Sequence, residues 1–391
     1  MRIAVYHNLP NGGAMRVLGE QCRLLMERGH VLECWVPVGA SRHGLPSSMP
    51  IHEVPYAGGW AILHRLMPSL LDRFQKIFCA TGALEAMARR AGADINAKGF
   101  GLLFSGNCRY QAAPPIGRYV DIPSVLYAHE PYRPFHEPEL VMPFTRLNRA
   151  CRVTSERANA AAFTRLLANS EFSRQRLQAA YGIMATVCYL GVDTERFSPT
   201  GERREAVVVG VGVVQPHKRI ELAIEALACL PSDGRPPLHW IGAAGNPVYR
   251  RKLKWLARQR RVDLTFLHQV KDNELVSRLS RASLLICTAR NEPFGLTPIE
   301  ASACGTPVIG VGEGGFLETV IKGVNGELTE PTAEALAQAI GKLLATPQKI
   351  NQLGRSARQH VLKHWSWAGS ITRLESLLAA TIPDGIENRH P

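Results

Sequence analysis

Strand-like and helix-like runs alternate along this chain, and near its middle the alternation begins afresh. "RIAVYHN" (2–8) reads as a strand, "AMRVLGEQCRLLMERG" (14–29) as an amphipathic helix closed by Gly29, and "VLECWVPV" (31–38) as the next strand. Further strand-like runs follow at "GLLFSG" (101–106), "PSVLYAH" (123–129) and "RLLANS" (165–170), the last after a helix-like stretch around 146–164. From Glu205 the pattern restarts: "AVVVGVGVV", helix "IELAIEALACL", "LHWIGAA", a basic helix, "LTFLHQV", helix "ELVSRLSRA", "SLLICTAR", short helix "PIEASACG", and "PVIGVG". Strands this apolar, separated by helices, require parallel sheets covered on both faces. A chain of 391 residues accommodates two such layers of sheet and helix. The expected class is therefore α/β, with two Rossmann-like doubly wound domains facing each other across a cleft. The turn-rich "YLGVDTERFSPTGERRE" (189–205) is the expected linker. The expected divisions are 1–193, 205–365, a late helix over 366–381 that packs back on the first domain, and a loose tail over 382–391.

Hydrophobic residues make up 46% and charged residues 20%, which fits a folded globular chain. The nine cysteines (22, 34, 79, 108, 151, 188, 229, 287, 304) are scattered and never form Cys-x-x-Cys, so neither a disulfide framework nor a zinc site is expected. "MRIAVYHNLP" lacks the layout of a secretion signal, and no apolar run reaches bilayer length. A cytoplasmic protein is expected. The formal net charge of +13 points to an anionic partner. "YRRKLKWLARQRR" (249–261) is basic, with Leu253, Trp255 and Leu256 marking an amphipathic helix, and reads as a solvated helix face, with a binding patch as the other reading; no nucleic-acid-binding signature accompanies it.

In open α/β sheets, ligands bind beyond the carboxyl ends of the strands, where helix N-termini present unpaired N–H groups. "NGGA", with Gly12 and Gly13, lies between the first strand and helix, where glycines let a phosphate approach the backbone; an ordinary βα turn explains it equally. "QPHKRIELAI" sets Lys218 and Arg219 at the start of a helix, where the dipole disfavours cations unless an anion is shared. In "NEPFGLTPIE" (291–300), Thr297, Pro298 and Glu300 match a capping box. Gly295 permits close backbone approach, and the N–H groups of Phe294, Gly295 and Leu296 are expected to face the anion. A carboxylate also suits a ribose, whose two hydroxyls match its two oxygens.

Glu292 and Glu300 have Glu-x7-Glu spacing, and "EPFGLTPIEASACGTPVIG" resembles the signature of retaining GT-B glycosyltransferases, in particular family four. "GVVQPHKRIELAIEAL", "ANSEFSRQRL", "YLGVDTERF", the Gly-Gly loop and "HWSW" resemble that family's landmarks in the same order, over nearly the whole chain. The resemblance implies that Glu300 binds the nucleotide ribose and Glu292 the donor sugar. Lys218 would bind the diphosphate, with Gly13 and the 294–296 backbone helping, and His129 would sit beside the donor sugar. The implied catalytic set is His129, Lys218 and Glu292; Gly12, Gly13, Arg219, Phe294, Gly295, Leu296 and Glu300 would complete donor binding. Val213 stands where the family carries an arginine, and Arg219 is the candidate replacement. His129 precedes "EPYRPF" at a strand's carboxyl end, which favours function over a structural histidine.

"HEPYRPFHEPE" lacks the helical spacing of His-Glu-x-x-His, and no Asp-x-Asp pair is present to hold a divalent ion, so neither metal nor cofactor is expected beyond a nucleotide-diphosphate sugar as co-substrate. "GVGEGG" (310–315) comes too late in its domain for a dinucleotide fingerprint, and Gly314 and Gly315 are expected to line the cleft. The expected activity is transfer of a sugar from a UDP- or GDP-sugar to a hydroxyl of a glycan, lipid-linked or small-molecule acceptor, in polysaccharide or glycoconjugate synthesis. A nucleotide-sugar 2-epimerase and a non-catalytic sugar-nucleotide sensor are the alternatives. "WAILHRLMPSLLDRFQKIF" (60–78) has apolar residues at helical spacing with basic residues on other faces. It reads as a helix buried on the first sheet, with peripheral contact to an anionic inner membrane face as the other reading.

Overall fold

The computed structural model describes residues 1–56, 81–137 and 149–383, so the 60–78 segment and all but the first two residues of the 382–391 tail lie outside the described residues. Two compact units emerge: Met1–Tyr189 together with the segment from Ile371, and Leu190–Ser370.

The first unit holds a seven-stranded parallel sheet: β1 (Arg2–Asn8), β2 (Val31–Pro37), β3 (Ile51–Val54), β4 (Leu102–Cys108), β5 (Ser124–Ala128), β6 (Arg165–Ala168) and β7 (Thr186–Val187). Their spatial order is β3-β2-β1-β4-β5-β6-β7. Central strands such as β4 and β5 are buried at every residue, as a sheet covered on both faces demands. Helix α1 (Gly13–Glu27) buries Met15, Leu18, Cys22 and Leu25, one stripe at helical spacing. The other helices among the described residues are α2 (Thr81–Ala97), α3 (Arg133–His136), α4 (Arg149–Ala161) and α5 (Glu171–Tyr181). Ser170 caps α5 by accepting from the Ser173 N–H, and left-handed Gly182 closes it.

The second unit holds six parallel strands: β8 (Val208–Val211), β9 (Leu238–Ile241), β10 (Leu264–Leu267), β11 (Leu284–Cys287), β12 (Val308–Val311) and β13 (Gly326–Thr329), in the order β10-β9-β8-β11-β12-β13. Its helices are α6 (Ile220–Ala228), α7 (Pro247–Gln259), α8 (Asp272–Arg281), α9 (Leu296–Ala303), α10 (Phe316–Thr319), α11 (Ala333–Leu344), α12 (Pro347–His364) and the start of α13 (Trp367–Ala379). The unit boundary falls inside α13. Its later residues group with the first unit, where Glu375 pairs with Arg28 and His30, and Arg165 donates to the Ala380 carbonyl.

The doubly wound α/β class expected from the alternation is the one observed. In each sheet the chain winds outward one way, then returns and winds the other, so the order reverses between β1 and β4 and between β8 and β11. Loops leaving the carboxyl ends of such neighbours diverge to opposite faces and leave a crevice, the usual place for a ligand. No helix among the described residues is long and apolar enough to cross a membrane.

Candidate functional site

Beyond β8, residues Pro216–Lys218 form one 3-10 turn, and Arg219 in left-handed geometry (φ 45°) swings the chain into α6. Beyond β11, the loop to α9 carries Glu292. Lys218 Nζ donates to Glu292 Oε2 at 2.7 Å across the switch point, with both side chains mostly buried. Several bonds lace the two segments together. The Arg290 N–H reaches the His217 carbonyl at 2.8 Å, Thr288 Oγ1 donates to the Lys218 carbonyl at 2.8 Å, and Arg219 Nε donates to the Thr288 carbonyl at 2.7 Å.

Arg219 is otherwise committed. Its two terminal nitrogens reach both oxygens of Glu313, at 3.2 and 2.7 Å, a bidentate pair that ties β12's loop to α6. The structure therefore gives the candidate second diphosphate cation a bracing position, and Val213 brings no charge. Glu313 and Thr288 were not anticipated; nothing in their sequence spacing marks them.

The capping box expected at Thr297 is not formed. Gly295 is the N-cap of α9, left-handed at φ 97°, and no side chain caps the helix. An N-cap side chain must come from a residue in extended geometry outside the helix, whereas Thr297 lies within it and hydrogen-bonds the Cys287 thiol. Burial, with the Glu292 charge beside it, pushes that thiol up to about 12. Glu300 is buried on the same helix, only 4% exposed. Phe294 is buried too, its ring edge-to-face with Trp365 at 5.4 Å, so the first tryptophan of "HWSW" braces the loop from behind. Leu296 opens α9.

Gly314 and Gly315 serve the same loop by letting backbones touch. A Cβ on Gly314 would stand 2.6 Å from the Glu292 carbonyl oxygen, and one on Gly315 would stand 2.5 Å from Phe294 Cα, while the Gly315 N–H donates to the Glu292 carbonyl at 2.8 Å. They seat the loop.

In the first unit, Gly12 is the N-cap of α1 at φ 154°, Gly13 is its first residue, and the first turn carries no acid. A Cβ on Gly12 would meet nothing within 4 Å, so the backbone there is open to a close ligand. His129 follows β5 and is held from both neighbouring strands. Asn107, on β4, accepts from its backbone N–H at 3.2 Å; Asn169, just past β6, places its amide nitrogen 3.1 Å from His129 Nδ1; Ser173 Oγ donates to its carbonyl at 2.6 Å. With the amide nitrogen donating to Nδ1, a neutral ring carries its hydrogen on Nε2. Burial lowers the pKa to about 4, so the imidazole is neutral at physiological pH. Asn169 and Ser173 belong to "ANSEFSRQRL", which thus holds His129 as well as capping α5.

Glu156 of α4, fully buried, also escaped the sequence reading. Its Oε1 accepts from the backbone N–H groups of Ala112 (3.3 Å) and Tyr132 (3.1 Å) and from the Tyr181 hydroxyl (2.5 Å), pinning the loops that leave β4 and β5. Burial raises it to about 7 against those bonds.

Among the described residues no three His, Cys, Asp or Glu side chains converge as metal ligands would. A cavity of about 900 Å³ among Thr200, Arg203, Arg204, Gly305, Ile350 and Arg355 opens at the amino ends of the second sheet's strands, remote from the crevice where such sheets bind ligands.

Residues 11–196 match the family model Glycosyltransferase Family 4, and residues 192–360 match Glycosyl transferases group 1. A GDP-mannose-dependent alpha-(1-6)-phosphatidylinositol monomannoside mannosyltransferase of Mycolicibacterium smegmatis is 30% identical over 233 residues, 54% of this chain and 60% of that protein. A D-inositol 3-phosphate glycosyltransferase of Geodermatophilus obscurus is 33% identical over 252 residues, 59% of this chain and 54% of that protein. The matches thus span little more than half of these relatives. The crystal structure of Anabaena HepE in complex with UDP-glucose superposes with a TM-score of 0.74 at 18% identity, covering 97% of this chain and all of that one (100%), which shows a shared fold.

Proposed function

The chain belongs to the GT-B glycosyltransferases, and on that premise we propose that it moves a hexosyl group from a UDP- or GDP-sugar to an acceptor hydroxyl with retention of anomeric configuration. The observation that carries this reading is the Lys218–Glu292 pair at the β8/β11 switch point, a cation for a diphosphate beside a carboxylate for sugar hydroxyls. In the proposed reaction, the bond from the anomeric carbon to the phosphate oxygen breaks and its electron pair leaves with the nucleoside diphosphate. Lys218 and the backbone N–H groups of the 294–296 turn stabilise the growing charge, more in the transition state than in the ground state. The acceptor oxygen bonds to the anomeric carbon on the face just vacated, and its proton passes to the departing phosphate oxygen. Glu300 holds the nucleotide ribose, Gly13 lies against the donor phosphates, and neutral His129, with its hydrogen on Nε2, donates to a donor-sugar oxygen. No metal is assigned a part.

The named activities of the relatives motivate GDP-mannose as a first donor, with inositol 3-phosphate and lipid-linked sugars as first acceptors, and the ligand bound in the HepE structure motivates UDP-glucose as a second donor. Release of nucleoside diphosphate from each donor is measured with and without acceptor, and the anomeric configuration of the product is read by NMR. Acceptor-dependent release with retained configuration is expected. Isomerised nucleotide sugar would indicate an epimerase; binding without turnover would indicate a sensor.

A further inference from the structure

Between Gly242 and Val262 the chain carries seven cations (Arg250, Arg251, Lys252, Lys254, Arg258, Arg260, Arg261) and no Asp or Glu. Among the described residues none of the seven forms an ion pair; Arg250 leans on His268 Nε2 at 3.3 Å. Elsewhere in the same unit, cations such as Arg219, Arg278 and Arg281 meet carboxylates. An isolated block of like charge on one helix opposes the folded state unless counter-charge is supplied from outside.

Helix α7 buries only part of the apolar set its sequence suggested: Leu253 is inside, Leu256 is half-buried and Trp255 is outside. Tyr249, Leu253 and Ala257 face the core, whereas Trp255, expected on the apolar face, is 62% exposed, and Val248 is 64% exposed. Val248, Arg251, Lys252, Trp255, Arg258 and Gln259 fall at i, i+3, i+4, i+7, i+10 and i+11, one continuous side of the helix opposite the buried stripe. Two apolar side chains thus sit in the midst of unpaired cations. The surface is firm: Asn246 Oδ1 accepts from the N–H groups of Val248 and Tyr249 and caps the helix, and the buried stripe fixes its rotation.

We propose that this outer face of α7 docks on an anionic lipid surface. A tryptophan settles at the boundary between headgroups and acyl chains, and lysines and arginines around it meet lipid phosphates, which is the chemistry of a helix lying in the plane of the interface. A nucleic acid would supply the same negative charge. The face, however, presents Gln259 as its one uncharged polar side chain and offers an aliphatic Val248 beside the indole, which suits hydrocarbon better than base edges. The proposal concerns attachment and holds whether or not the glycosyl-transfer reading does.

The full chain is sedimented with phosphatidylcholine vesicles, with and without phosphatidylglycerol, at low and high salt, and its affinity for a single-stranded oligonucleotide is measured in the same buffer. Binding is expected only with phosphatidylglycerol and should weaken steeply with salt. The triple variant R251E/K252E/R258E should lose roughly a hundredfold or more in vesicle affinity. Trp255→Ala should lose about tenfold while keeping the salt dependence. Tryptophan emission should shift to the blue on binding in the natural protein and much less in Trp255→Phe. Circular dichroism confirms that the variants fold. Three results overturn the proposal: no binding to anionic vesicles, vesicle binding unchanged in the triple variant, or tighter binding to the oligonucleotide than to the vesicles.

Discussion

Two adjacent cations at the carboxyl end of β8 have been given different work by their surroundings. Lys218 reaches one carboxylate oxygen of Glu292 through a flexible stem, a bond it can exchange for one to phosphate, whereas Arg219 is fixed by a bidentate pair to Glu313 and by the Thr288 carbonyl. Lys218→Met should therefore lower turnover by about a hundredfold or more, the scale for losing one charge-stabilising donor in a transition state, with little change in thermal midpoint. Arg219→Met should do the reverse: a loss of roughly 1–3 kcal/mol in stability from the broken pair and the unmet carbonyl, with turnover per folded molecule falling less than in Lys218→Met. Steady-state rates alongside thermal melts check both. Equal turnover losses would assign Arg219 to the donor after all. His129 shows the same logic by a different route: its neutrality follows from burial, and its tautomer from where Asn169 points.

Loops set the site, and loops hinge on glycine. Gly314 lies at φ 62°, against the Glu292 backbone, so Gly314→Ala must both strain its own dihedrals and push on the segment that carries Glu292. A loss of about 1–3 kcal/mol is expected, with a raised KM for the donor. Gly234, at φ 84° with nothing within 4 Å of its would-be Cβ, is the control: Gly234→Ala should cost about 1 kcal/mol or less and leave KM unchanged. Thermal melts and donor titrations of the two variants decide it. The alternation of strands and helices was legible because the strands at the middle of each sheet are mostly apolar runs and the main helices repeat their apolar stripe. The short β13, "GELT" after "GVN", was not, since four residues among turn formers carry no period. The start of α9 was misplaced because Thr-x-x-Glu satisfies the capping pattern locally, while Gly295, packed against Phe316 and Thr319, fixes where the helix begins. Trp255 marks the amphipathic pattern in the sequence yet faces outward, because helical spacing alone cannot tell which of two overlapping stripes the sheet will take. Of the site, Glu292, Lys218 and their adjacency to glycine-bearing turns could be read in the sequence. Asn107, Glu156 and Glu313 could not, because each acts across a strand or helix boundary that only the fold supplies.

Across the whole molecule, the groups with the clearest titration behaviour gather in the first unit and tie stability to pH. Burial, helped by the Arg109 charge, lowers His7 to about 4, and burial does the same for His129. His136 is also lowered to about 4, by burial and then by Arg176, Arg149 and Arg157. An unfolded chain protonates each of these near 6.5, so between pH 6.5 and 4 it binds three protons that the folded chain refuses, and stability is lost as pH falls through that window. Glu156, raised to about 7, acts the other way: the folded chain keeps a proton that the unfolded chain releases near 4.5, so its contribution is present in acid and fades as pH rises to 7. From pH 6.5 to 4.5, three protons against one leave a net uptake of two from these four groups on unfolding, about 3 kcal/mol per pH unit where all of them titrate fully. The thermal midpoint should therefore fall on acidification from near pH 6.5, well above the range in which exposed carboxylates titrate. Glu156→Gln removes the opposing group, so its midpoint should fall more steeply over the same interval. The same neutrality fixes the chemistry, because an imidazole that stays uncharged down to about pH 4 should imprint no inflection near 6.5 on kcat. A midpoint that stays level between pH 7 and 5, in both proteins, would mean that these histidines are solvated and free to ionise, and His129 could not then serve as the neutral donor assigned to it.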